Sequence, residues 1–196
     1  MARSQSIILL VSAISGLAAT GCPSGGVGDP CIPEDEYAAK FNGFGVDEAN
    51  VESRSFQCET RVCVVNHFQG RVSCPYGNAD GTNIPPHLGC YIPSSKDQVT
   101  ASVPPQLMAR RAENTVYCSC RCGGDDTAAK YCSCPNGYTC STLVPDLGFG
   151  KRNLAGKYCL KSGTEYNGAS AKTCGADATS PCDTPGTPAN MNPGNP

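Results

Sequence analysis

The chain has 196 residues, a formal net charge of −2, fifteen cysteines and no tryptophan. A slightly acidic balance argues against nucleic acid as a partner, since binding phosphate calls for Lys/Arg patches. With 22 Gly and 16 Pro, loops dominate and little apolar area can be buried, so covalent links must replace a large hydrophobic core.

Residues 1–6 carry Arg3, residues 7–19 are apolar, and Thr20, Gly21 and Cys22 follow. A basic start, a short apolar core and small residues before a cut form the pattern of a secretory signal peptide. At about 1.5 Å per residue the apolar run spans only about 20 Å, short of a ~30 Å hydrocarbon core. Ala19-Thr20-Gly21-Cys22 resembles the lipobox of bacterial lipoproteins. The resemblance implies that residues 1–21 are removed as signal peptide and that Cys22 carries a thioether-linked lipid, so the membrane is a partner. It further implies a place in the bacterial cell envelope. Pro23, not an aspartate, follows the cysteine, which points to the outer membrane, on its periplasmic or surface face. Parity agrees: with Cys22 lipidated, an even number of cysteines remains to pair.

Residues 22–30 read as the lipidated tether, rich in Gly and Pro, with a reach of about 15 Å. Residues 31–182 read as a single disulfide-stapled domain, with sub-regions 31–93 and 116–182 joined by 94–115. In the first sub-region the acidic run Glu34-Asp35-Glu36 reads as a solvated surface. Asp47 is a candidate cap for a short helical turn. Residues 61–74 carry the strongest strand signal, with a turn expected near 66–70 and Cys63 facing Cys74 across the hairpin. In the joining segment, 106–113 is expected to form two helical turns after Pro105, with Arg110 and Arg111 on a solvated face. Residues 183–196 are too poor in apolar side chains to repay ordering and are expected to form a disordered tail, just after a small loop closed by Cys174 and Cys182.

Six cysteines crowd into 117–140. Cys118, Cys120 and Cys122 alternate, which places them on one face of a strand, nearly 7 Å apart. Zinc needs its sulfurs about 2.3 Å from a common centre, which one extended strand does not deliver. Cys132 and Cys134 offer a second segment with the same spacing, so a cross-linked ribbon fits better. No C-x-x-C occurs anywhere, which removes zinc-ribbon, thioredoxin-like and c-type haem signatures together. The expected disulfide set is therefore Cys31, Cys58, Cys63, Cys74, Cys90, Cys118, Cys120, Cys122, Cys132, Cys134, Cys140, Cys159, Cys174 and Cys182, with connectivity open and no metal or cofactor implied. Five of these precede residue 94 and nine follow it, so full pairing requires at least one disulfide across 94–115. The expected fold class is small and disulfide-rich, mainly β hairpins and irregular loops with little helix.

Residues 132–140 resemble the C-x-C-x-x-G-Y end of an epidermal-growth-factor-like module over nine residues. The spacing to the last cysteine differs, and only a turn at Pro135-Asn136-Gly137 is carried over. The segment 78–81 lacks the oxygen ligands of a calcium loop at its flanking positions, and no hydrolase, metalloprotease or phosphate-loop motif is present. The leading expectation is a lipid-anchored envelope protein with a structural or binding role toward a protein or glycan, and not an enzyme. Two alternatives stand beside it: an envelope hydrolase using His67 or His87, and a protease inhibitor presenting the constrained loop 75–89.

Overall fold

The structure is a computed structural model, and it describes residues 25–78, 90–146, 154–168 and 172–174. Two small antiparallel sheets carry the fold. The first has strand order β1–β2–β3, with β1 Ala49–Glu52, β2 Val62–Asn66 and β3 Val116–Ser119. The second has order β4–β6–β5, with β4 Arg121–Gly123, β5 Tyr138–Val144 and β6 Gly156–Lys161. Helix among the described residues is confined to 3₁₀ turns at Glu34–Tyr37 and Met108–Arg110 and to one α-turn, α1, at Ala112–Thr115. Among the described residues, no helix is long and apolar enough to cross a membrane.

The first sheet is buried on both faces. Successive side chains on a strand point to opposite sides, and β2 runs Val-Cys-Val-Val, apolar in both directions. Cys63 and Val65 join one cluster with Phe44, Phe68, Val72, Val116 and Cys118. Val64 joins Val51, Tyr117, Leu143 and Tyr158 in a second, where the first sheet meets the second. A third cluster gathers Cys74, Cys90, Val99 and Val103. Only Cys120 separates β3 from β4, so one nearly continuous strand serves both sheets. Ser119 Oγ donates to Cys159 O (2.8 Å) and the Cys159 amide donates to Cys120 O (3.1 Å), fixing that crossing.

The strand expected at the start of 61–74 is present as β2, but it does not fold back on residues 71–74. Its partners are β1 and β3, and Cys63 and Cys74 do not face each other. The chain leaves β2 through His67, whose φ of 51° starts a sharp turn. Asp47 caps no helix; it lies just before β1 and accepts a hydrogen bond from the Tyr166 hydroxyl (2.7 Å). In the joining segment the helical signal survives only as the two short turns, because Arg111 is extended (φ −68°, ψ 157°).

Two charged side chains expected at the surface are inside. Arg110 is 7 % exposed. It donates to His67 O (2.5 Å), Asn66 O (2.7 Å) and Thr164 O (3.1 Å), answering the carbonyls where β2 ends. Glu36 is fully buried together with Arg71. The Glu36 carboxylate accepts from the Val72 amide (2.5 Å), the Ser73 amide (2.9 Å) and the Ser73 hydroxyl (2.7 Å). Arg71 in return donates to the carbonyls of Glu36, Ala38 (3.2 Å) and Phe41 (2.9 Å), with its Nε 3.9 Å from the carboxylate. Segments 36–41 and 71–73 thus exchange hydrogen bonds through side chains where no regular ladder joins them. Burial pushes the Glu36 carboxyl up and the Arg71 guanidinium down, and each charge draws the other back.

Residues 25–30, expected as part of the tether, belong to the fold. Gly28 N donates to Cys118 O (2.8 Å), the Cys118 amide donates to Asp29 O (2.7 Å), and Pro30 bridges Tyr117. This segment covers the β3 edge that would otherwise expose unpaired backbone groups. The expected tail at 183–196 lies outside the described residues.

Substituting Arg71→Met leaves a buried carboxylate without its counter-charge and three carbonyls without their donor, and is expected to cost about 3–5 kcal/mol; urea unfolding with disulfides intact measures it. Tyr117 supplies a pH test. Burial raises its phenol to about 12, although its oxygen accepts from the Lys161 amide (2.8 Å). Its contribution to stability is complete below the ordinary tyrosine value of 10.0 and is lost as pH rises through about 12. Ultraviolet titration should show a phenol titrating near 12 that disappears in Tyr117→Phe.

Candidate functional site

All thirteen cysteines of the described residues are in disulfides. The pairs are Cys31–Cys63, Cys58–Cys118, Cys74–Cys90, Cys120–Cys132, Cys122–Cys140 and Cys134–Cys159. Cys174 is also bonded; Cys182, expected to close a small loop with it, lies outside the described residues, as does Cys22. Cys58–Cys118 is the crossing of residues 94–115 that parity demands.

The ribbon expected between 118–122 and 132–134 forms only in part. Residues 131–135 are not a strand, and the three cysteines of the alternating run diverge to Cys58, Cys132 and Cys140. The reason lies in β6. It inserts between β4 and β5 and brings Cys159 to Cys134. The turn at Pro135-Asn136-Gly137 is present, closed by Tyr138 N donating to Pro135 O (3.1 Å).

The sulfurs stack. Cys120, Cys132 and Cys159 lie within 4.8 Å of one another, as do Cys122, Cys134 and Cys140, and Cys31, Cys58 and Cys118. Such triads have the spacing of metal ligands, but each is assembled from two cystines, and a cystine sulfur is not the thiolate that binds zinc. Cys159 Sγ is 3.6 Å from Cys120 Sγ and 3.8 Å from Cys132 Sγ. That near-equality places it beside the Cys120–Cys132 bond. Exchange needs a thiolate to attack one sulfur along the bond axis, so a thiol released at Cys159 meets its neighbour side-on.

Beside this stack, the second sheet carries a cleft of about 420 Å³ lined by Arg121, Gly124, Asp125, Asp126, Thr142, Val144, Asp146, Ala155, Gly156 and Lys157. The strand residues come together by register: Lys157 pairs with both Gly123 and Thr142, and Gly156 with Val144. Asp125 and Asp126 follow β4 on a turn held by Ala128 N donating to Asp126 Oδ1 (2.9 Å) and by the Tyr131 hydroxyl donating to Asp126 O (2.8 Å). The Arg121 guanidinium donates to Ala155 O (2.5 Å) and lies 5.6 Å from the Tyr131 ring centre. Its buried Nε has no hydrogen-bond partner among the described residues. Glycine at 156 is required by both space and backbone. Its φ is +145°, and a Cβ there would stand 2.7 Å from Arg121 Nε and 2.8 Å from Gly123 O. The cleft therefore offers two cations, three carboxylates and a hydroxyl at fixed positions, a set of donors and acceptors suited to a polar ligand.

His67 is placed in the turn after β2. Its Nδ1 lies 3.1 Å from Val46 O and its ring stacks on Tyr166 at 4.4 Å. The contact is a main-chain carbonyl and not the carboxylate that would orient a catalytic base. His87 and most of the expected inhibitor loop, residues 79–89, lie outside the described residues. Sequence reasoning missed the cleft because its polar side chains are scattered over three strands and the loops that follow β4 and β5. Asp125-Asp126 after Gly123-Gly124 is the one local signal of it, a polar turn inside the cysteine-rich stretch.

No protein-family model, no curated protein and no solved structure matches the chain.

Gly156→Ala should cost about 1–3 kcal/mol, the price of a strained backbone state, and should displace Arg121. Denaturant unfolding of the oxidised protein measures the loss; unchanged stability would contradict the packing around the guanidinium.

Proposed function

We propose that the protein is a lipid-anchored, disulfide-stapled component of the bacterial cell envelope with a binding role, held at the outer membrane by lipid on Cys22 and recognising a protein or glycan through the cleft around Arg121. The observation that carries the binding role is the cleft itself. Charges of both signs and a hydroxyl are held on a three-stranded sheet, and the Cys122–Cys140 and Cys134–Cys159 disulfides fasten its strands β4, β5 and β6. Side chains fixed in this way lose little conformational freedom on binding, which favours recognition. A glycan presents hydroxyls that carboxylates accept from, and a peptide presents carbonyls that Arg121 and Lys157 reach. The anchor is supported by the lipobox resemblance of Ala19-Thr20-Gly21-Cys22.

Two measurements test the reading. Cys22→Ser is expected to release the protein from envelope membranes into the soluble fraction, and continued membrane retention would contradict the anchor. Cross-linked capture from the envelope should return a partner that the Arg121→Ala, Lys157→Ala double variant loses. Identical recovery by both proteins would remove the cleft from the account.

A further inference from the structure

We infer that residues 53–61, the loop between β1 and β2, form a second membrane contact in which Phe56 enters the headgroup–acyl boundary and Arg61 meets lipid phosphate. The inference rests on the reading that Cys22 is acylated, and the geometry of the first described residues carries it further. Gly25 lies three residues after Cys22, a reach of at most about 11 Å. Gly25 is not free to swing. Its amide donates to Gln57 O (2.8 Å), and the Glu59 amide donates to Gly25 O (2.9 Å), forming a bridge to Cys58. The anchored end of the chain is therefore clamped inside the 53–61 loop, one residue from Phe56. A lipid on Cys22 thus keeps this loop within reach of the bilayer surface.

The loop is built for that position. Phe56, 83 % exposed, is the most exposed large apolar side chain among the described residues. Arg61 lies over its ring, with the guanidinium carbon 4.2 Å from the centre. A guanidinium stacked on an aromatic face keeps its N–H edges for a phosphate. The loop is also rigid. Cys58 is bonded to Cys118, the Ser55 amide donates to Arg61 O (3.0 Å), and the Thr60 hydroxyl donates to Ser119 O. Arg61 itself is held at φ 65°, a conformation that non-glycine residues adopt at a cost and that persists only where the surroundings impose it. Acidic and basic residues balance along 52–61, with Glu52 and Glu59 against Arg54 and Arg61. The contact therefore depends on the ring and on individual phosphates and not on a net basic charge, and it should survive raised salt, unlike a polybasic attachment. Acylation already provides the affinity; the loop fixes which way the body faces, leaving the Arg121 cleft on a different sheet.

The absence of tryptophan gives a direct test. Phe56→Trp places a single reporter in the acylated full chain, reconstituted into phosphatidylethanolamine–phosphatidylglycerol vesicles. Lys96→Trp, at an exposed turn beside the third cluster, is the comparison. The expected result is emission shifted to shorter wavelength and quenched by brominated acyl chains for Phe56→Trp, unchanged in high salt, with Lys96→Trp unquenched. Flotation of the same samples separates the two levels of the account. Protein that fails to float with the vesicles removes the acyl anchor, and the inference with it. Protein that floats while position 56 stays unquenched, including a shift without quenching as a protein partner would give, overturns the inference and leaves the anchor standing.

Discussion

The interaction on which the rest depends is the tethering of one strand, residues 116–123, by three cysteines that leave it in different directions. Cys118 binds Cys58 under the first sheet, Cys120 binds Cys132, and Cys122 binds Cys140 on β5. Because β3 and β4 are nearly continuous, the same strand contributes to both sheets. Its disulfides hold together elements that share only a few buried apolar side chains. The second cluster, where Val64, Tyr117, Leu143 and Tyr158 meet, is small. Cross-linking lowers the entropy of the unfolded chain and so compensates for such a core.

A second constraint governs the part of the chain the strand does not reach. Arg71 and Glu36 join the 36–41 loop to residues 71–73 by hydrogen bonds to main-chain groups, and Gln106 extends the network by donating to Arg71 O (2.8 Å). Without these side chains, the buried carbonyls of an irregular loop would lack partners, which costs more than the bonds contribute when made. The disulfides limit how far the chain can wander. The buried ion pair selects one loop arrangement within that limit.

Much of this was legible in the residues. Fifteen cysteines, abundant Gly and Pro and the alternation at 118–122 indicated a stapled, strand-and-loop fold with little helix, and counting cysteines on either side of residue 94 required the Cys58–Cys118 type of link. What was not legible follows from the same loop-rich character. Glu36 sits in an acidic run and Arg110 beside another arginine, patterns that ordinarily mean solvent, and only main-chain groups of distant loops, amides for Glu36 and carbonyls for Arg110, draw them inside. Pairing of Cys134 with Cys159 depends on β6 inserting between β4 and β5, a long-range event with no local signature. The cleft was hidden for that reason too, since Arg121, Thr142 and Lys157 become neighbours only through that insertion. The tether was misjudged because Gly and Pro suggest a linker, whereas here Gly25 and Gly28 allow close backbone pairing with the loop and with β3.

The central claim, that one strand ties both sheets to the rest of the chain, is tested most directly by mapping disulfides in the purified oxidised protein through non-reducing peptide mass analysis. The account predicts cross-linked peptides joining Cys58 to Cys118, Cys120 to Cys132 and Cys122 to Cys140. Peptides in which Cys118, Cys120 or Cys122 bond to one another, or carry free thiols, would contradict it.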